Sequence, residues 1–407
     1  MNNNMNRNSP KTTSNTNQEH KIHNINTTLE IIKASLWNTS ISEASREDFD
    51  EMRFHAIAAL PAGILSSINI PEDLRSAWRR FIIQQVKHFI NCQYTQERLP
   101  ITVPYVILKG TSAAQYYPHP EYRSMGDIDI ITSKEDFGIA YKQLVNENYK
   151  IVKENERETS FRKNGIVIEL HRHFAALNNP EHAQYMDELI CDHIRPNHVL
   201  PDLINGLVLL EHIDQHMENG IGLRQIIDWM MFVNKCLTDE NWEEFNNMAQ
   251  NVGLTKLAIT VTRLCEIYLG LPNKRKWCSE ANETLCSRLM DYIVSCGNFG
   301  AKRTDDSCIT ENVFIQAKTI KATFRLLQER GMANWQAVKG HQFLRAFAWL
   351  YQMGRYAKRG LVREEAKTKL KAEIDAAKQR NDMFEDLGII RASKGIVIYK
   401  NGNYTKK

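Results

Sequence analysis

No run of eighteen consecutive apolar residues occurs in this 407-residue chain, so the sequence offers no candidate for a membrane-spanning helix. The opening stretch, MNNNMNRNSPKTTSNTNQEHK, lacks the apolar segment of a secretory signal. Its Asn, Ser and Thr content predicts a disordered tail over residues 1–25. The eight cysteines, Cys92, Cys191, Cys236, Cys265, Cys278, Cys286, Cys296 and Cys308, form no C-x-x-C pair. Scattered through a long chain, they read as reduced and mostly buried thiols, with no spacing that supports structural zinc. There is no internal repeat beyond residue 25, no G-x-x-x-x-G-K-[ST] phosphate loop, no H-E-x-x-H helix and no recognisable nucleic-acid-reading module. These absences leave a cytoplasmic globular protein as the expectation. Its 43% hydrophobic content suffices for two or three domains.

The net charge of +4 hides an asymmetry. Residues 311–407 carry 20 Lys plus Arg against 9 Asp plus Glu, a local balance of +11, which leaves −7 for the rest. Such a region either presents a solvated basic surface or attracts a nucleotide or nucleic acid. The run HQFLRAFAWLYQMGRYAKRG within it sets Phe343, Phe347, Leu350 and Tyr351 on one helical stripe, as a core face would be.

The pattern along the chain predicts an α/β (α+β) fold, a small mixed sheet embedded between helical N-terminal and C-terminal regions. Residues 26–98 read as a helical subdomain. Ser45 and Asp48 form an N-cap pair, and Pro71 precedes a helix whose apolar residues Leu74, Trp78, Phe81, Ile82, Val86, Phe89 and Ile90 recur at helical spacing. Residues 99–185 alternate strand and helix: VPYVIL, then TSAAQYY, DIDIIT, KEDFGIAYKQLVNEN, and paired strands turning at Asn164-Gly165 into IVIELHRHF. Residues 186–296 return to helix, 297–312 read as an exposed connection, and 313–407 as a basic, mainly helical region ending in a short hairpin or a loose tail.

Chemistry concentrates in MGDIDII. Side chains alternate along a strand, so Asp127 and Asp129 point the same way, their Cα atoms about 6–7 Å apart. Two carboxylates that close repel, and a shared divalent cation removes the conflict. In GIVIELHRHF, Val167, Glu169 and His171 share one face. If that strand lies beside the first, Glu169 completes a three-carboxylate site suited to phosphoryl or nucleotidyl transfer. The turn at Gly110 supplies a second half: Thr111 and Ser112 can cap the next helix or bind phosphate, and Lys109 and Arg123 are candidate phosphate contacts, Ser124 a weaker one. A D-x-D strand facing water and a lysine solvated at a turn are the plain alternatives.

The stretch YVILKGTSAAQYYPHPEYRSMGDIDIITS, with VIELHRHF and GLRQIIDW downstream, resembles the bacterial uncharacterised nucleotidyltransferases, within the polymerase-beta-like superfamily. The likeness covers roughly residues 50–235. It implies that Asp127 and Asp129 are the first two metal ligands. Glu169 would be the third acid, which helps hold a second metal and deprotonates an acceptor hydroxyl. Gly110, Thr111 and Ser112 stand at the glycine-serine turn, although Lys109-Gly110-Thr111-Ser112 departs from the usual glycine-glycine-serine form. The implied activity is Mg2+-dependent (or Mn2+-dependent) transfer of a nucleoside monophosphate, AMP from ATP, to a hydroxyl on a small molecule, protein or RNA. A noncatalytic nucleotide sensor, or a phosphotransferase or phosphohydrolase, would share the same carboxylates. The resemblance also places the GLRQIIDW helix beside the nucleotide cleft, where Arg224 would reach phosphate with Asp228 orienting it; an ordinary i,i+4 ion pair is the alternative. His171 is expected to be structural or to contact phosphate, and His212 and His216, four apart, to make hydrogen bonds rather than hold zinc.

Overall fold

The computed structural model describes residues 25–302, 320–339, 342–360, 375–376, 378–389, 397–400 and 403–406. Residues 1–24 of the expected tail, most of the expected connection over 297–312 and part of the expected C-terminal region lie outside those residues. No described helix is long and apolar enough to cross a membrane.

Three helices open the chain: α1 (Asn26–Trp37), α2 (Arg46–Phe54) and α3 (Glu72–Gln96). Ser45 caps α2 in a reciprocal box with Asp48, as the spacing predicts. Of the apolar residues on α3, Leu74, Trp78, Ile82 and Phe89 are buried, whereas Ile90 faces outward.

The sheet follows. Strands β1 (Tyr105–Leu108), β2 (Ile128–Thr132), β3 (Lys150–Glu154), β4 (Glu158–Lys163) and β5 (Ile166–His171) lie in the order β1-β2-β5-β4-β3. Strands β2 and β5 run parallel; the other pairs are antiparallel. A one-turn helix, α4 (Gly110–Ala114), follows β1, and α5 (Phe137–Asn146) makes part of the crossover after β2. Asn164 (φ 52°) and Gly165 (φ 82°) turn β4 into β5, both left-handed as a two-residue hairpin loop requires.

Alternation assigns the two faces. Tyr105, Ile107, Ile128, Ile130, Ile168 and Leu170 enter a smaller core beneath α5. Val106, Leu108 and Ile131 enter the main core. Asp129 lies between Ile128 and Ile130 in β2, so its side chain is on the main-core side.

Six helices complete that core: α6 (Pro180–Cys191), α7 (Asp202–His216), α8 (Leu223–Cys236), α9 (Trp242–Asn251), α10 (Thr255–Tyr268) and α11 (Glu283–Cys296). Their apolar residues merge with those of α1–α3 into one cluster, so the residues before and after the sheet share a single interior. Helices α7 and α8 are its most deeply buried members, and their contact is close: a Cβ on Gly206 would stand 2.1 Å from Phe232 Cζ. The seven described cysteines are free thiols, five of them buried; Cys308 lies outside the described residues.

Residues 297–302, the described start of the expected connection, form a turn in which Gly297 is buried and Phe299 is half exposed. Lys302 N–H bonds Cys296 O at 3.0 Å, and Lys302 Nζ pairs with Glu51 of α2. Farther on, α12 (Ile320–Asn334) and α13 (Ala348–Gly360) frame 3-10 turns within the region expected to be mainly helical. Phe343 is 70% exposed and Phe347 51%, so the aromatic stripe does not form a core there. Met383, Phe384 and Leu387 do return to the main core. The terminal hairpin forms as β6 (Val397–Lys400) paired with β7 (Asn403–Lys406).

Candidate functional site

The parallel pairing of β2 with β5 sets Asp129 opposite Glu169 and Ile131 opposite His171. Each of these acids therefore reaches the same face, one strand spacing from the other. One ligand-type atom from each of Asp129, Glu169 and His171 lies within 4.8 Å of the other two. Among the described residues no other His, Cys, Asp and Glu side chains gather in a group of three or more at this spacing. His171, expected as support, thus stands inside the cluster. Asp127, one residue before β2, is outside that trio yet lines the same cavity, about 260 Å³ in volume.

Charge is tightly managed here. Lys109 Nζ lies 2.8 Å from Asp129 Oδ1, and His171 Nε2 lies 2.9 Å from the same oxygen. Burial opposes the Asp129 charge, but Lys109 and His171 hold its pKa well below the ordinary carboxylate range. Asp127 moves the other way: the neighbouring Asp129 charge, then burial, push it up to about 6. Burial, then Asp129 and Asp127, push Glu169 up to about 7. These opposed shifts are what like charges in a partly dry cleft produce. Burial lowers the His171 pKa despite Asp129, so its ring is neutral near pH 7.

That neutral ring tests whether a metal fits. With Nε2–H directed at Asp129, Nδ1 is left buried and without a hydrogen-bond partner. Glu158 Oε2 stands 3.7 Å from it. In the other tautomer Nδ1–H faces Glu158 and the Nε2 lone pair faces the Asp129 and Glu169 oxygens, the arrangement of carboxylate–histidine–metal sites. The residues therefore fit a divalent ion. Oxygens from Asp127, Asp129 and Glu169 suit Mg2+, while the imidazole of His171 shifts the donor set toward Mn2+.

The turn after β1 differs in detail from its expected role. Lys109 adopts φ 51° and ψ −138°, a backbone region rarely used by residues with a Cβ. The strained conformation places its ammonium against Asp129, where it neutralises an acid rather than standing in solvent. Gly110 (φ 42°) lines the cavity. Thr111 and Ser112 do not: Thr111 Oγ1 donates to Gln96 Oε1 at 2.6 Å, and Ser112 Oγ to Asn205 Oδ1 at 2.9 Å. Both hydroxyls tie α4 to neighbouring helices.

The arginines also exchange roles. Asp228 does not orient Arg224. Its two oxygens accept Arg123 Nε and Nη2, each at 2.7 Å, and Oδ1 also accepts the Tyr117 hydroxyl at 2.7 Å. Arg123 is buried, so its fork is occupied by this bidentate pair. Arg224 keeps only a long bond to Ser124 O at 3.4 Å, and its buried Nε has no hydrogen-bond partner. Arg157, in the β3–β4 turn and unremarked in the sequence, likewise lines the cavity with an unmatched Nε. Two guanidiniums with spare donors thus face four acids: Asp127, Asp129, Glu158 and Glu169.

Helix α7 closes the opposite wall with His212, Gln215 and His216. Burial lowers the pKa of both histidines, His216 to about 3, and their rings meet edge to face at 4.6 Å. They belong to no metal-ligating group of three. Gly126, Lys153, Arg157, Glu158, Gln215 and Phe299 are the lining residues that sequence reasoning missed. Glu158 had one usable signal: on a hairpin with β5, it lies opposite His171.

A family model described as uncharacterised nucleotidyltransferase matches residues 35–270. No curated protein and no solved structure matches the chain. The matched span contains the whole five-stranded sheet and helices α2 to α10 complete, and it ends before the 297–302 turn.

Proposed function

The chain belongs to the family of uncharacterised nucleotidyltransferases, and from that premise we propose that it transfers a nucleoside monophosphate, AMP from ATP, to a hydroxyl acceptor with release of pyrophosphate. The observation that carries this reading is the register of Asp129 against Glu169 on parallel strands, with Asp127 and His171 beside them. The placement of the family within the polymerase-beta-like superfamily rests on the sequence resemblance around Gly110, Asp127, Asp129 and Glu169.

Asp129, Glu169 and His171, with Asp127 at their edge, would hold the divalent ion. When bound, such an ion neutralises triphosphate charge and stabilises the departing pyrophosphate. Arg224 and Arg157 offer their spare N–H donors to phosphate oxygens. Gly110 leaves room for the phosphate chain beside β1. Glu169 receives the acceptor's proton. Its Oε1 accepts from the Ser160 hydroxyl at 3.4 Å, and its Oε2 lies 3.9 Å from His171 Nε2. The acceptor oxygen forms a bond to the α-phosphorus, the bond from that phosphorus to the β-phosphate oxygen breaks, and pyrophosphate leaves with the electron pair.

One observation favours a second reading, a nucleotide sensor without turnover: Lys109 already supplies a cation to Asp129. Incubation with α-labelled and γ-labelled ATP, Mg2+ or Mn2+ and an acceptor mixture separates the readings. Transfer moves the α-label to an acceptor and the γ-label to pyrophosphate. Free γ-phosphate would indicate phosphohydrolysis, and retained ATP would indicate sensing. Asp129→Asn should abolish label transfer and weaken Mn2+ binding at least about tenfold, because even outer partners of a ligand are worth that much. Unchanged transfer by a folded Asp129→Asn protein refutes the assignment.

A further inference from the structure

Beyond the family-matched span, residues 297–300 form a turn whose construction has no purpose in the core. Phe299 occupies φ 53° and ψ 32°, the left-handed region that a residue with a bulky side chain rarely adopts. Its ring is nevertheless 50% exposed. An aromatic residue held in an unfavourable conformation without being buried signals a constraint other than packing.

The constraint is built from both sides. The turn presses against the segment leading into α8. A Cβ on Gly220 would stand 2.7 Å from Gly300 N, and one on Gly222 would stand 2.8 Å from Asn298 Cα. Gln225 Nε2 donates to Asn298 Oδ1 at 2.9 Å, while Gly222 N–H donates to Gln225 Oε1 at 3.3 Å. Backbone contact and these bonds fix the ring in the wall of the cavity that holds the acids. There His216 meets it at 4.6 Å between centroids, and the Arg224 guanidinium lies 5.5 Å from its centre.

A nucleoside triphosphate has one highly charged end and one flat aromatic end. The cavity has the same division: carboxylates with Arg157 near them toward β2 and β5, and an anchored aromatic ring with Arg224 beside it toward the 297–300 turn. We infer that the exposed face of Phe299 is the platform on which the nucleobase of the bound NTP stacks, with Arg224 bridging the base and phosphate ends of the site. This rests on the nucleotide-transfer reading above and adds the residue that binds the base. Stacking accepts any base, since every base has a π face, so Phe299 sets affinity for nucleotides as a class.

The test compares two Mg2+-loaded probes by calorimetry on the full chain: an ATP analogue with a methylene between the α and β phosphates, and inorganic tripolyphosphate. Variants are Phe299→Ala, Phe299→Gly and Phe299→Tyr. Loss of the ring should weaken the ATP analogue about tenfold, the scale of one base–aromatic stack, and leave tripolyphosphate affinity unchanged. Phe299→Tyr should bind like the parent. Phe299→Gly relieves the left-handed strain, so its melting temperature should be no lower than the parent's even as base affinity falls. The inference is overturned if Phe299→Ala and Phe299→Gly bind the ATP analogue within about twofold of the parent, or if they lose both probes equally. If the parent itself binds tripolyphosphate but gains nothing from the nucleoside, the inference fails as well. If the parent binds neither probe, the nucleotide-transfer reading fails first and takes this inference with it.

Discussion

One carboxylate oxygen, Asp129 Oδ1, receives both Lys109 Nζ and His171 Nε2, so a divalent ion at this place competes with an ammonium and a ring N–H. The balance is set by protons. Asp127 is raised from 3.8 to about 6 and Glu169 from 4.5 to about 7. A raised acid contributes stability that is complete below its unfolded pKa and lost as pH rises through the folded value. The metal-free protein therefore loses stability as pH rises from about 4 to 7 and stays penalised above that, and a cation relieves the penalty most where both groups are ionised. The rise in melting temperature on adding Mg2+ or Mn2+ should grow from pH 5.5 to pH 8; a shift independent of pH would contradict it. Glu158 enters through His171 Nδ1. Glu158→Gln should weaken Mn2+ binding by about 10–100-fold, as removal of outer carboxylates does, and an unchanged titration would remove His171 from the ligand set. At this scale strand parity made Asp129, Glu169 and His171 legible together. Thr111 and Ser112 were not legible as structural residues, because their partners Gln96 and Asn205 are 15 and 93 positions away.

Between elements, close approach depends on what side chains leave out. Gly206 on α7 meets the ring of Phe232 on α8, and Phe232 is fully buried, so its ring has no open space to swing into. Gly206→Ala should destabilise the protein by about 1–3 kcal/mol, the usual cost of overpacking, read as a lower midpoint in urea denaturation with little change in slope. Helix propensity alone predicts the opposite sign, since Ala favours helix over Gly. The start of α8 shows a related dependence on distant groups. Leu223 N–H finds its acceptor in His55 Nδ1 at 3.2 Å, and His55 Nε2 lies 3.0 Å from Glu51. The sequence around Gly222 contains no hydroxyl or carboxylate cap, and the missing acceptor comes from the end of α2. Local signals were sufficient for the Ser45–Asp48 cap and the Asn164-Gly165 turn, which involve neighbours in the chain. They could not disclose a cap supplied by a residue 168 positions away.

Across the whole molecule, the loop that leads into β2 is bolted to the helical half by the buried Arg123–Asp228 pair. Removing one partner strands a charge in the interior, so Asp228→Asn should cost about 3–5 kcal/mol in urea denaturation. It should also weaken nucleotide binding, because the loop carrying Asp127 loses its anchor. Stability held within about 1 kcal/mol would show the pair to be dispensable. The same pair explains why Arg224 keeps spare donors: α8 presents both Arg224 and Asp228, and Arg123 arrives from outside the helix to claim the carboxylate. The sequence by itself determined the mixed sheet between helical regions, the parity of its acids, the Ser45–Asp48 cap and the Asn164-Gly165 turn, because each follows from alternation, capping and turn chemistry among near neighbours. Tertiary structure alone decided which arginine Asp228 holds, that Lys109 faces Asp129, and that Phe299 reaches the cavity. Those outcomes depend on which surfaces the common core brings together, and charge and ring contacts over a few ångströms leave no periodic trace along the chain.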